Sequence, residues 1–329
     1  MNINQSDINK KQIDIINQQY TEKIREAAKR ILLEKKADVV IGFKNGTEPM
    51  KTEPCLITKA SDVDKLIWNE HCRLNLANYV KGRKDKVAVV AKGCDSRNLV
   101  NHIIEKQIKR ENLYIIGVPC NGMVDKFVNV KESKVGVESE TMQKNLDVFL
   151  IDRDMLQDNC KTCISRNPVI FDEMIAEPVK ERVWTKEEKL KERFESVNKI
   201  EAMAESDRWS FFNDMLSSCT RCYACRNACS LCYCPTCFVD ESRPQWVGKG
   251  VDPVDVRTYH FLRAFHCAGR CTDCGACEAA CPMNIKVRLF TKKLDKECFE
   301  SFGWEAGMSL DERPPLDVYK VNDSENFIR

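Results

Sequence analysis

Little in this sequence of 329 residues favours one sign of charge: 52 Lys and Arg stand against 50 Asp and Glu, a formal net charge of +2. A nucleic-acid surface needs a basic excess, so no nucleic-acid partner is expected. No apolar run approaches the ~20 residues of a membrane span, and the polar start MNINQSDINKKQ lacks the apolar core of a signal peptide. The expectation is a cytoplasmic protein without a membrane span. Glycine is sparse where a dinucleotide would need it, because Lys92-Gly93 offers one glycine where G-x-G-x-x-G is required. No acid/base pair or activated nucleophile stands out, so no catalytic residue is assigned.

What the chain has in excess is cysteine, 19 in all. Secreted disulfide scaffolds are short, and without an export signal a reducing cytosol is the better reading. Many thiols in a long chain also point to an anaerobic setting, since exposed thiolates are oxygen-sensitive.

The spacing is the strongest signal. Cysteines fall as Cys219-x2-Cys222-x2-Cys225-x3-Cys229 and again as Cys271-x2-Cys274-x2-Cys277-x3-Cys281-Pro282. Such doubled runs hold two 4Fe-4S clusters, with the fourth cysteine of each run crossing to the other cluster. The pattern assigns Cys219, Cys222, Cys225 and Cys281 to one cluster and Cys271, Cys274, Cys277 and Cys229 to the second. Structural zinc is the alternative, but it closes with four ligands in C-x2-C pairs separated by a longer gap. Pro282 follows the second run, while Ser230 stands where the first run would have its proline, which removes no ligand.

Upstream, residues 1 to 36 read as a helix with an apolar stripe of Ile24, Ala27, Ala28, Ile31 and Leu32. Strands are expected at 38–41, 55–58, 86–91 and 112–118, with helices over 62–79 and from about Asp95 to Lys109. Continuous apolar strands joined by a helix predict an α/β domain with a parallel sheet, whose ligands collect at the carboxyl ends of the strands. Cys94 and Cys120 fall at those ends. With Cys160-x2-Cys163 they make a candidate third 4Fe-4S site, Cys55 and Cys72 being the reserves; the alternative is that they pack as small hydrophobes. A flavin, FAD, is a further alternative for this domain.

Residues 179–208 are strongly charged and read as a solvated helical linker. Trp209, Phe211, Phe212 and Met215 then make an apolar face leading into Cys219. Between the runs, Cys232, Cys234, Cys237, His260, His266 and Cys267 are ligand types dense enough to form one additional metal site, or else pack beside the clusters. A helix is expected over 285–302, and the polar, Pro-rich tail suits wrapping around a partner subunit. The domains are thus 1–178 α/β, 179–208 linker, 209–302 a ferredoxin-type dicluster domain of helices and loops, and 303–329 tail. Loop charge sets an expected order of potentials: Arg221 and Arg226 in the first loop favour reduction, whereas Asp273 and Glu278 in the second oppose it.

Lys92-Gly93-Cys94-Asp95-Ser96-Arg97, Gly117-Val118-Pro119-Cys120, Leu231-Cys232-Tyr233-Cys234-Pro235 and the two cysteine loops together resemble iron-sulfur proteins related to the beta subunit of coenzyme-F420-reducing hydrogenases and formate dehydrogenases. The resemblance implies an electron-transfer subunit of an anaerobic oxidoreductase complex. Such complexes include formate dehydrogenase, hydrogenase, heterodisulfide-reductase-like and flavin-based bifurcating assemblies. Single electrons would pass between ferredoxin, or a partner's clusters, and a catalytic subunit. The competing expectation is a flavin-dependent reductase of a deazaflavin or nicotinamide. Placing the paired cysteine module at the C-terminus departs from the flavoprotein members.

Overall fold

A computed structural model describes residues 5–127, 151–319 and 321. Residues 1–4 of the expected first helix, 128–150 of the first domain, and 320 and 322–329 of the tail lie outside the described residues. The chain divides into two compact units, Met1–Ser96 with Ile108–Val183, and Arg97–Gln107 with Trp184–Arg329.

In the first unit, helix α1 (Gln5–Leu33) buries Ile24, Ala27, Ala28 and Ile31, while Leu32 at the stripe's edge is half-buried. Strands β1 (Val39–Asn45), β2 (Thr52–Ile57), β3 (Val87–Ala91) and β4 (Leu113–Gly117), with β5 (Glu173–Met174), form one sheet in the order β2-β1-β3-β4-β5. All five residues of β3 are buried, as a strand covered on both faces requires. The sheet is not wholly parallel. β2 runs antiparallel to β1, with Val40 opposite Ile57, whereas β1, β3, β4 and β5 run parallel. The connection from Asn45 to Thr52 is too short for a parallel crossover, which needs a dozen or more residues, so this edge closes as a hairpin.

The helix expected over 62–79 is also absent: that stretch makes two short 3-10 turns, Ala60–Lys65 and Leu76–Tyr79. Asparagine side chains compete with the helix here. Asn69 Oδ1 accepts from the His71 N–H at 2.9 Å and Asn75 Oδ1 from the Ala77 N–H at 3.1 Å, fixing local turns instead. Helix α2 (Gly93–Ile104) follows β3, and the division between the units falls inside it. Helix α3 (Asp158–Lys161) precedes β5.

In the second unit the charged stretch is no solvated linker. It forms α4 (Lys186–Glu188), a π-helical turn (Lys189–Arg193) and α5 (Glu195–Glu201). Helices α6 (Glu205–Leu216), α7 (Ala224–Asn227), α8 (Pro253–His266), α9 (Ala276–Ala279) and α10 (Arg288–Phe302) complete the unit. Lys189 Nζ lies 2.6 Å from Glu305 Oε2 and Arg193 pairs with the same carboxylate. Phe194 is buried beside Phe299, and Glu201 pairs with Lys293 and Lys296 of α10. Charge patterning suggested solvation, yet these charges find one another across folded elements. Phe212 stacks on Phe290 at 5.0 Å and Met215 packs on the same core as Val256, Tyr259 and Ile285, whereas Trp209 stays exposed.

Candidate metal centres

The two cysteine loops adopt the same backbone. In the first, Arg221 (φ 50°) and Tyr223 (φ 59°) are left-handed; in the second, Asp273 (φ 57°) and Gly275 (φ 75°) occupy the matching positions. Each loop then enters a four-residue helix, α7 or α9, carrying its third cysteine. Left-handed conformation costs a non-glycine residue about 1 kcal/mol or more, so three such residues at matched positions mark a constrained site. Left-handed residues alternating with others turn successive N–H groups to one side, the concavity that receives anions and Fe–S sites. The Asp273 N–H donates to Cys271 Sγ at 3.4 Å, and the Arg221 N–H does the same for Cys219. The Ile285 N–H donates to Cys281 Sγ, also at 3.4 Å.

The fourth cysteines lie across the pair of loops. Cys281 is an electrostatic neighbour of Cys219 together with Cys225 and Cys222, while Cys229 neighbours Cys277 together with Cys274. Cys274 also neighbours Cys271. Burial pushes the thiols of Cys271 and Cys277 well above their ordinary pKa, so their thiolates would need a bound cation or cluster as counter-charge.

Of the six residues considered for an additional metal, Cys232 and Cys267 come together, hydrogen-bonded to each other, and the other four have separate neighbours. Cys232 and Cys267 both hydrogen-bond Cys229. Their bonds hold the Cys229 thiol well below its usual pKa, against the effect of burial. Cys237 instead meets Arg226, and the His266 ring stands edge-on to Phe238 at 4.9 Å. His260 faces Cys219, its Nε2 3.3 Å from Sγ, and burial keeps this imidazole neutral, its pKa pushed down to about 4. Cys234 is exposed. Among the described residues no group of three or more His, Cys, Asp or Glu could hold a single metal ion. Each loop instead offers three cysteines on one turn with a fourth from the other loop, the donor set that a 4Fe-4S cluster takes.

In the first unit Cys94 opens α2 just past β3 and Cys120 follows β4, with Ala91 and Gly117 paired in register at the rim. Cys120 and Cys163 are both neighbours of Cys160. The Gly122 N–H donates to Cys120 Sγ and the Met123 N–H to Cys160 Sγ, each at 3.4 Å. Burial pushes the Cys120 thiol up to about 11. Of the reserves, Cys72 is fully buried, its thiol pushed up to about 12, whereas Cys55 sits on β2 opposite Gly42 with Lys44 and Lys65 as its charged neighbours.

Lys92 is not a phosphate anchor. Its buried ammonium donates to Asp95 Oδ2 at 2.9 Å and to the Leu74 carbonyl at 2.8 Å, while the Leu76 N–H donates to Asp95 Oδ1. Burial alone would lower its pKa, but Asp95, Cys94 and Cys120 drive it well above the usual lysine value. A fixed positive charge therefore sits beside two of the four thiols. Gly93 is required for close approach, since a Cβ there would strike the Ser165 carbonyl oxygen.

Sequence reasoning missed Arg97 and Asn98, which follow the cysteine motif on α2 and brace the second loop within its own unit. Arg97 donates to the Ala306 and Thr272 carbonyls and Asn98 Nδ2 to Thr272 Oγ1 at 2.8 Å. It also missed Arg263, whose guanidinium has Cys229, Cys267, Cys277 and Cys225 as neighbours. Only its spacing from Tyr259, His260 and Cys267 on one helix hinted at that role.

The fold defines a two-unit protein, an α/β unit with thiols at its strand ends and a helical unit built around twin cysteine loops. No protein-family model matches the chain. It is 22% identical over 355 residues to the F420-dependent formate dehydrogenase subunit beta of Methanocaldococcus jannaschii, covering 87% of this chain and 92% of that protein. It is 24% identical over 344 residues to the F420-dependent formate dehydrogenase 1 subunit beta of Methanococcus maripaludis, covering 84% and 88%. The chain is related to these F420-dependent formate dehydrogenase beta subunits.

Proposed function

We propose that this chain is an iron-sulfur electron-transfer subunit of a formate-dehydrogenase-type complex. The observation that carries the reading is the matched left-handed geometry of the two loops, Arg221 and Tyr223 against Asp273 and Gly275. Cys219, Cys222, Cys225 and Cys281 hold one 4Fe-4S cluster, and Cys271, Cys274, Cys277 and Cys229 the other. Cys94, Cys120, Cys160 and Cys163 hold a third. A bound cluster of this type supplies reversible one-electron redox. The chain's own part is to present deprotonated thiols, to donate backbone N–H groups to their sulfurs, and to exclude water by burial. These features support the reading, as does the kinship with beta subunits of formate dehydrogenase. The electrons pass to or from a catalytic oxidoreductase subunit, with ferredoxin or a partner's cluster at the other end.

The test is iron and labile sulfide content, with EPR, on the full chain purified anaerobically, together with co-purification of a formate-dehydrogenase-type catalytic subunit from native cells. Two dicluster sites require about eight iron atoms per chain and the third raises this to about twelve. Zinc in place of iron overturns the reading. The F420 dependence of the relatives favours a second reading, a flavin-dependent reductase acting on a deazaflavin. Flavin absorbance in the purified chain would select it.

A further inference from the structure

Helix α8 lies in the insert between the two cysteine runs, and one of its faces carries Tyr259, His260, Arg263 and Cys267. Residues spaced by three or four along a helix share a side. Each of the four meets a thiol or its backbone: the Tyr259 hydroxyl stands 3.5 Å from Cys225 Sγ, His260 Nε2 3.3 Å from Cys219 Sγ, and Cys267 hydrogen-bonds Cys229. Arg263 Nη2 donates to the Cys225 carbonyl at 3.1 Å.

Several buried cations of the unit have a carboxylate partner. Arg288 and Lys292 have Asp273, and Arg193 has Glu305. Arg263 is 5% exposed, pairs with no carboxylate among the described residues, and leaves its Nε buried without a hydrogen-bond partner. An uncompensated buried guanidinium costs several kcal/mol. Beside the Tyr259 hydroxyl, the neutral His260 and Cys232, the ionisable groups around it include thiols drawn from both runs, Cys225 and Cys229 from the first and Cys277 from the second, with Cys267. An orphaned cation among thiols of both sets is explained if those thiols carry negative charge.

We propose that Arg263 is the shared counter-charge of the two cysteine-loop centres and sets both of their reduction potentials. This rests on the reading that the loops hold 4Fe-4S clusters. Reduction adds an electron to a centre that is already negative, so a fixed positive charge close to both centres raises both potentials. Because the guanidinium is shielded from solvent, ionic strength screens it little. Arg221 and Arg226 do not play this part. Arg221 donates to the Gly248 and Gly250 carbonyls and to the Tyr223 hydroxyl, and Arg226 is paired with Asp240.

The experiment is potentiometric EPR with iron analysis on the full chain, comparing wild type, Arg263→Gln and Arg263→Lys. The expected result is that Arg263→Gln keeps its iron while both midpoints move down, and that Arg263→Lys, which keeps the charge, shifts them much less. Iron-loaded Arg263→Gln with unmoved midpoints, or with one midpoint moved alone, overturns the proposal. So does a Lys variant displaced as far as the Gln variant, since packing rather than charge would then be at work. If Arg263→Gln loses its clusters, the Lys variant decides: retained clusters at near wild-type potentials support the proposal, and loss of iron in both overturns it. Iron-free wild type overturns the parent reading as well, whereas iron-loaded protein with unmoved midpoints overturns this one alone.

Discussion

Lys292 Nζ stands 2.8 Å from Asp273 Oδ2, and Arg288 takes the other oxygen of the same buried carboxylate. Two cations hold one anion in the second cysteine loop. Burial raises the pKa of Asp273, yet these partners keep it far below the ordinary carboxylate range. Asp273 is thus not an isolated negative charge in the loop, and Arg288 and Lys292 offset the opposition to reduction expected of it.

Breaking this triad should be costly. Asp273→Asn leaves Arg288 and Lys292 buried without their anion, and removing one partner of a buried ion pair costs about 3–5 kcal/mol. Anaerobic chemical denaturation should show a loss of that order. A loss below about 1 kcal/mol, the level of a surface pair, would mean that the triad is solvated.

Glu305 ties the charged segment to the end of the chain through Lys189 and Arg193. Glu305→Ala strands a 5%-exposed Arg193 and should destabilise the second unit by about 3 kcal/mol, with Glu305→Gln milder because the amide still accepts hydrogen bonds. Lys199→Ala, whose Glu195 pair is exposed, should change stability by less than about 0.5 kcal/mol. Equal losses in the two alanine variants would reject the distinction.

The crossed pairing of loops can be read from single replacements. Cys281→Ser should remove about four iron atoms and the EPR signal of the centre on Cys219, Cys222 and Cys225, and Cys229→Ser that of the centre on Cys271, Cys274 and Cys277. The opposite correspondence would show that each run closes on itself.

For the first unit, Cys160→Ser and Cys163→Ser should each lower iron content by about four atoms per chain and leave the other two EPR signals in place. Cys55→Ser, on the far side of the sheet order at β2, should leave iron content unchanged. Iron loss in the Cys55 variant alone would move the site to that edge.

Local chemistry was legible in the chain itself. Cysteine spacing fixed which loops would be twins, because three thiols within one tight turn admit few backbones. β3 announced itself by five consecutive apolar residues, as a strand covered on both faces must. The direction of β2 was not legible, because strands expected at 38–41 and 55–58 leave a link long enough for a crossover, and only the extension of β1 to Asn45 and of β2 back to Thr52 makes it a hairpin. Where charges end up was not legible. Glu201 and Lys293, Glu305 and Arg193, and Asp273 and Lys292 are far enough apart in sequence that composition reads them as solvated surface, yet folding buries or pairs them. The same holds for the candidate metal set. Of Cys232, Cys234, Cys237, His260, His266 and Cys267, packing joins only Cys232 and Cys267, both on Cys229, and gives the other four separate neighbours. Arg263 is the sharpest case: its one-letter identity is that of any basic helix residue, and only the packing of α8 against both loops leaves its charge buried among thiols. Spacing acts through covalent geometry over a few residues, whereas burial and electrostatic partnership are properties of the folded interior.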